Sequence, residues 1–481
     1  MSSLPRGGAH CCTHGMQGAY ATFHLHPPTL KNSPFKIVLL LVVVLGALLP
    51  LRWVPAAEWG GYAFKRVDFL SDLTPADSAA TTAALLATLP DVPPARQAVR
   101  DSCPPGMVCI DDYEDDTERG MTPFYRALTE RAALGRPVRV AYLGDSFIEV
   151  DILTSDLRRE LQRRYGGCGV GFLDAAPPYA ANRGTVHQRY GGWESLSVLD
   201  KGRYVREKLG LSQRYGTARS AAWIEVKGTR EHGLDTCEVQ TIYLSPRGSA
   251  PVGVKLNNGP MLALPVQGGA GFQALRYEGR AGSVKWQVPQ GYVCWGVAVE
   301  GREGVSVDNF SLRGSSGITL AEVPVEQLTR FGELRPYDLI VVQFGLNVAS
   351  KKQLRYDAYA RQMKHVVERL KTAFPQAGIL IVGVGDREDK LDDGQLHTMP
   401  GVLALMKYQQ NVAAESHVAY WNLFQAMGGE GSIRRMAAMT PPEAGKDYTH
   451  INARGGKRIA HLLYKTLVHG HEQYKRRQAT P

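Results

Sequence analysis

No aspartate or glutamate precedes Glu58 in this 481-residue chain, although Lys31 and Lys36 fall in the same stretch. The N-terminus is therefore no acidic tail, and its balance suits an export segment. Charge is sparse overall, 21% of residues against 44% hydrophobic, so the chain buries one large or two ordinary cores and is not disordered over most of its length. Two or three folded units are expected. Also missing is any RNA- or DNA-binding signature, because the formal charge of +10 arises from lysines and arginines scattered among acids. Nucleic acid is excluded as a partner, and the charge points to anionic envelope or polysaccharide surroundings.

Long apolar runs are absent except for one, within FKIVLLLVVVLGALLPLRWVPAAEW, which is charge-free from Ile37 to Leu51. A second membrane-spanning segment is excluded. The run is short at about 15 to 18 residues, and Val54-Pro55-Ala56 resembles a cleavage site, so signal peptide and signal anchor both fit. The anchor is the favoured reading, with residues 36–54 as an N-terminal helix in the inner membrane and the rest of the chain periplasmic. Cysteine is scarce, seven in all. His10, Cys11, Cys12 and His14 lie in a Gly- and Pro-rich segment with no fold to make ligands converge, so no metal site is expected there. The other five permit disulfides in an exported protein: Cys103/Cys109 across CPPGMVC is the first choice, Cys237/Cys294 is open, and one thiol at least is left over.

What is present begins with VRVAYLGDSFIEVDILTSDLRREL, residues 138 to 161. Val138, Val140, Tyr142 and Leu143 make a buried strand, and Ile148, Ile152, Leu153, Leu157 and Leu161 recur at helical spacing. Gly144 allows a sharp turn between them, and Ser146 falls where a helix N-terminus favours developing negative charge. A cap is the plainer use of Asp145 or Ser146; a nucleophile requires a base. Further strands ending in loops are expected at 338–347, 378–386 and 418–424, helices at 353–372 and 401–416, and a closing helix from about Ala453 to Val468. This βαβ order implies a parallel sheet, with Ser146, Asn347 and Asp386 beyond strand ends, where functional groups collect. Residues 176–305 break the pattern with short, turn-punctuated β runs, so an antiparallel sandwich or jelly roll is inserted there. Its Trp193, Trp223, Tyr243, Trp286 and Trp295 suit either its core or a sugar-stacking surface.

The base is sought among 13 histidines. His450, three residues after Asp447 in GKDYTHINARGGKRIA, permits Asp447 to fix the imidazole tautomer while the other nitrogen faces a serine. His397, near Asp392 and Asp393, is a poorer rival in a polar loop.

The ordered set GDS (Gly144, Asp145, Ser146), RGSSG (Gly314), GLN (Gly345, Asn347) and DYTH (Asp447, His450) resembles the SGNH, or GDSL-type, hydrolase family. The resemblance implies an α/β fold: a flavodoxin-like three-layer hydrolase domain, discontinuous over 121–175 and 306–470, carrying the inserted β unit. Residues 1–35 are then a flexible cytoplasmic extension, 55–120 a stalk ending in the acidic run DDYEDDTERG, and 471–481 a basic tail. It further implies Ser146 as nucleophile, His450 as base, Asp447 as its orienter, and an oxyanion hole from Ser146, Gly314 and Asn347, with no metal or organic cofactor. Val348 stands where many members carry Asp, a departure expected to be tolerated. An exported SGNH unit with a β insert is similar to bacterial peptidoglycan O-acetylesterases. It is similar also to SGNH proteins that work with membrane O-acyltransferases, so deacetylation of envelope polysaccharide and acetyl transfer both stay open. A glycan-binding component with an idle triad is the third reading.

Overall fold

The computed structural model describes residues 34–48, 57–59, 62–64, 102–229, 234, 236–269 and 271–479. The His10–His14 tract, the Val54–Ala56 site and most of the expected stalk lie outside the described residues. The chain divides into two units, residues 1–74 and 75–481.

The first unit contributes the helix Pro34–Leu48 and a hairpin of Ala57–Trp59 with Tyr62–Phe64. The helix overturns the anchor. Its 15 residues reach about 22 Å at 1.5 Å per residue, short of the roughly 30 Å of a bilayer's hydrocarbon core. Among the described residues, no helix is long and apolar enough to cross a membrane.

In the second unit a six-stranded sheet runs in the order Val305–Ser311, Val138–Gly144, Leu339–Gln343, Gly378–Val382, Ala419–Trp421, Asp111–Asp112. The first five strands are parallel, and in chain order they read 2-1-3-4-5, the flavodoxin-like arrangement. Continuous runs such as LIVVQ and GILIV are wholly buried, as strands covered by helices on both faces require. Helices Thr122–Thr129, Thr154–Tyr165 and Ala453–Ala479 pack together in one layer, and Val325–Leu334, Asp357–Ala373 and Pro400–Glu415 in another. The expected basic tail is instead the last turns of the closing helix. The acidic run assigned to a stalk supplies the antiparallel edge strand, and Asp112 and Glu114 accept from the backbone N–H groups of Met121 and Thr122 at the next helix start.

The insert is a nine-stranded antiparallel sheet, as expected in kind, and it takes in Gly169–Asp174 ahead of residue 176. Its long strand Arg214–Gly228 pairs with Val293–Glu300 through Gly216 and Thr217 and with Ser283–Val288 through its later residues. One strand thus serves two halves of the sheet, which share a core of residues such as Ile242, Leu244, Ile224, Val254 and Trp286. Tyr243, Trp286 and Trp295 are buried, so only Trp193 and Trp223 of the five aromatics keep partial exposure. Cys103 pairs with Cys109 as expected, but Cys237 pairs with Cys168, leaving Cys294 buried and free.

A buried ionic cluster joins insert and parallel sheet. Arg335 donates to Glu300 of the insert at 2.9 Å and to Asp308 of the strand Val305–Ser311 at 2.6 Å, while Arg139 donates to Glu300 at 2.7 Å.

Candidate active site

Ser146 follows the strand Val138–Gly144 and Asn347 the strand Leu339–Gln343, neighbours in the sheet. The chain order reverses beside them, and in open α/β sheets such a crevice is where ligands sit. Gly144 is closely approached there, since a Cβ would lie 2.9 Å from the Ile148 side chain and 3.1 Å from the Gln343 carbonyl oxygen. The segment after Ser146 differs from the expected helix start. Glu149–Asp151 is a short 3-10 turn containing Val150 at φ 49°, and the regular helix begins only at Thr154. Positive φ is costly for a β-branched residue, and here it turns the chain before the helix.

His450 arrives from the other end of the chain. Ala444 and Ile451 bridge a tight loop, at whose tip Tyr448 adopts φ 49°. The turn brings Asp447 back onto its own backbone, where Oδ1 accepts from Thr449 N at 3.2 Å and His450 N at 3.1 Å. Asn452 then caps the closing helix, its Oδ1 accepting from Arg454 N at 2.9 Å. Gly456 lets that helix press on Ile152, whose carbonyl a Cβ would meet at 1.9 Å. Held this way, His450 Nε2 lies 3.2 Å from Ser146 Oγ and Nδ1 lies 2.7 Å from Asp447 Oδ2. Burial pushes the Asp447 carboxyl up, but hydrogen bonds from His450 and Thr449 outweigh it and hold the group below the usual carboxylate range. The pair is half exposed, with 42% of the His450 and 52% of the Asp447 side chain open to solvent.

Asp145, for which the sequence offers the role of a cap, bonds both its own turn and a distant loop. It is buried, accepts from Phe147 N at 3.0 Å and from Asn347 Nδ2 at 3.1 Å, and burial pushes its carboxyl up to about 6. Asn347 Nδ2 also donates to the Ser315 carbonyl at 3.0 Å, so both amide hydrogens are engaged. Gly314, at φ 76°, precedes that serine. Among the described residues, neither the Ser146 nor the Gly314 N–H is taken by a hydrogen bond of the fold. Arg313 pairs with Glu149 at 2.7 Å, tying the segment before Gly314 to the turn after Ser146.

The other candidates stand apart from this group. Asp386 is buried and occupied by Thr398, Ser432 and the Ile433 N–H, which it uses to pin the helix Ser432–Ala438. His397 pairs with Asp393 at 2.7 Å. Val348 packs against the main core, which explains why an apolar residue is accommodated there.

No family model and no curated protein matches the chain. Among solved structures, a peptidoglycan O-acetylesterase superposes with TM-score 0.64 at 20% identity, over 76% of this chain and 99% of its own. A family two carbohydrate esterase from Cellvibrio japonicus gives TM-score 0.26 at 11% identity, over 59% and 99%, and a GDSL-like lipase from Parabacteroides merdae 0.25 at 14%, over 34% and 73%. These two are too distant to carry an argument. The first likeness shows a common fold over about three quarters of the chain.

Proposed function

From an SGNH-type fold with Ser146, His450 and Asp447 in contact, we propose that this protein is a serine esterase removing O-acetyl groups from cell-envelope polysaccharide outside the cytoplasm. The contact distances of 3.2 and 2.7 Å through one imidazole carry the proposal. His450 Nε2 takes the Ser146 proton as Oγ attacks the acetyl carbon, and returns it to the sugar oxygen as that C–O bond breaks. A water, deprotonated by the same nitrogen, then attacks the acetyl-serine carbonyl, and His450 Nε2 returns that proton to Ser146 Oγ as the acyl C–O bond breaks and acetate leaves. Asp447 holds the tautomer and stabilises the imidazolium. The free Ser146 and Gly314 N–H groups receive the oxyanion, and Asn347 joins them by turning one hydrogen away from the Ser315 carbonyl. Donors of this kind contribute about 3 to 4 kcal/mol each. Two disulfides support an oxidising compartment. The likeness to a peptidoglycan O-acetylesterase supports the substrate class.

Hydrolysis of p-nitrophenyl acetate by the protein and by Ser146→Ala tests the reading. Turnover by the first and background rate in the second is expected; equal rates in both would defeat it.

A further inference from the structure

Beside the turn that carries Ser146, on the side of the insert, lies a recess of ≈ 50 Å³, room for roughly three or four waters. Its near rim is Glu149, the residue paired with Arg313 next to Gly314. Its walls come from the insert and the segment leading into it: Asp174 ends one strand, Arg183 follows a short turn, and Gln188 and Arg214 stand on the next two strands.

These four side chains are well buried and incompletely satisfied. Arg183 Nη2, Arg214 Nε, Asp174 Oδ1 and Gln188 Oε1 are closed off from bulk solvent and have no hydrogen-bond partner. Gln188 as a whole is 6% exposed, its amide nitrogen held by the Asp174 carbonyl at 2.7 Å. Arg214 and Asp174 approach only to 4.0 Å, too far for a hydrogen bond to satisfy both. Neighbouring Asp151, by contrast, is saturated by Arg158, Arg183, Thr154 and Thr185. Leaving a buried donor or acceptor unmade costs about 1 to 3 kcal/mol, so four of them on residues that line one recess favour an occupant toward which these side chains turn.

The chemistry of the occupant follows from the count. Two donors face two acceptors; an anion would meet the Asp174 carboxylate, and a cation the two guanidinium groups. A hydroxyl gives one hydrogen bond and takes another, so two hydroxyls of a sugar chain use all four groups. At the mouth, Tyr179 keeps 45% exposure, offering an aromatic face of the sort that covers the C–H face of a sugar ring. Resting on the esterase reading for its orientation, we infer that this recess is a saccharide subsite, which holds a neutral sugar of the polysaccharide by its hydroxyls while the acetyl group reaches Ser146. The insert then completes the active site instead of acting as a separate binding module.

Binding of the neutral β-1,4-linked N-acetylglucosamine tetramer to full-length Ser146→Ala protein, followed by titration calorimetry, tests the subsite without any turnover. Adding Tyr179→Ala or Gln188→Met should raise Kd at least tenfold. Tyr179→Phe should restore it to within threefold, and Arg280→Ala, at an exposed position of the insert outside the recess, should leave it unchanged. Tyr179 is exposed, so its replacement spares the fold even where that of Gln188 does not. No binding by the parent, or equal binding by all variants, overturns the subsite, the recess then holding water only. Acetate release by the unmutated protein judges the esterase separately: release with no tetramer binding leaves the esterase standing alone, and binding without release does the reverse.

Discussion

At the scale of single residues, two carboxylates beside Ser146 behave oppositely. Asp447 is half exposed, so water would share in stabilising an imidazolium formed at His450 in the proposed mechanism. Asp447→Asn should therefore lower turnover by about 100-fold or more, short of the roughly 10⁴ lost at a buried counterpart, and still permit slow labelling by a fluorophosphonate, whereas Ser146→Ala should abolish labelling. Labelling at another serine would refute the assignment. Asp145 is buried, and its carboxyl is raised from 3.8 to about 6 by desolvation. A raised carboxyl favours the fold fully below its unfolded value and loses that contribution as pH rises through about 6, a change of about 3 kcal/mol. Asp145→Asn cannot lose it. Relative to the unmutated protein, the variant should gain up to that amount between pH 4 and pH 8 in urea denaturation; a difference independent of pH would contradict the burial account. The burial of Asp145 and its contact with Asn347, 202 positions away, are properties of the fold and were not legible in the sequence.

At the scale of elements, the join between insert and parallel sheet rests on Arg335, Arg139, Glu300 and Asp308. Burial alone would raise the Glu300 carboxyl, but Arg139 and Arg335 hold it well below the usual range, so its contribution is present above pH 4.5 and fades as pH falls. Glu300→Ala strands buried guanidinium charge and should cost about 3 to 5 kcal/mol. A urea midpoint corresponding to less than about 1 kcal/mol would show that the cluster does not join the units. The strands carrying Ser146 and Asn347 were legible because fully buried parallel strands are continuous apolar runs. Val305–Ser311 was not: VSVDNFS spends Asp308 and Asn309 on hydrogen bonds within the fold, and those polar residues keep it from reading as the continuous apolar run of a core strand. The helix expected directly after Ser146 was likewise obscured by a left-handed valine that no periodicity reveals.

At the scale of the whole molecule, long-range pairing was the least legible feature. Cys103 and Cys109 are close in sequence, but the partner of Cys237 depends on a strand, Gly169–Asp174, that folds into the insert just after Cys168. That bond spans 69 residues, and loop-closure entropy assigns it about 4 kcal/mol. The double variant Cys168→Ala/Cys237→Ala should lose stability of that order in thermal unfolding, and an unchanged Tm would place the closure elsewhere. The order GDS, RGSSG, GLN, DYTH survived 130 intervening β-type residues because each motif is read at a strand end or loop of one sheet, whatever lies between. Whether those motifs act together on a sugar ester is decided most directly by acetate release from O-acetylated peptidoglycan, measured for the protein and for Ser146→Ala at equal concentration. The account predicts steady release by the first and none by the second; equal release by both, or none by either on a substrate shown to carry acetyl groups, would contradict it.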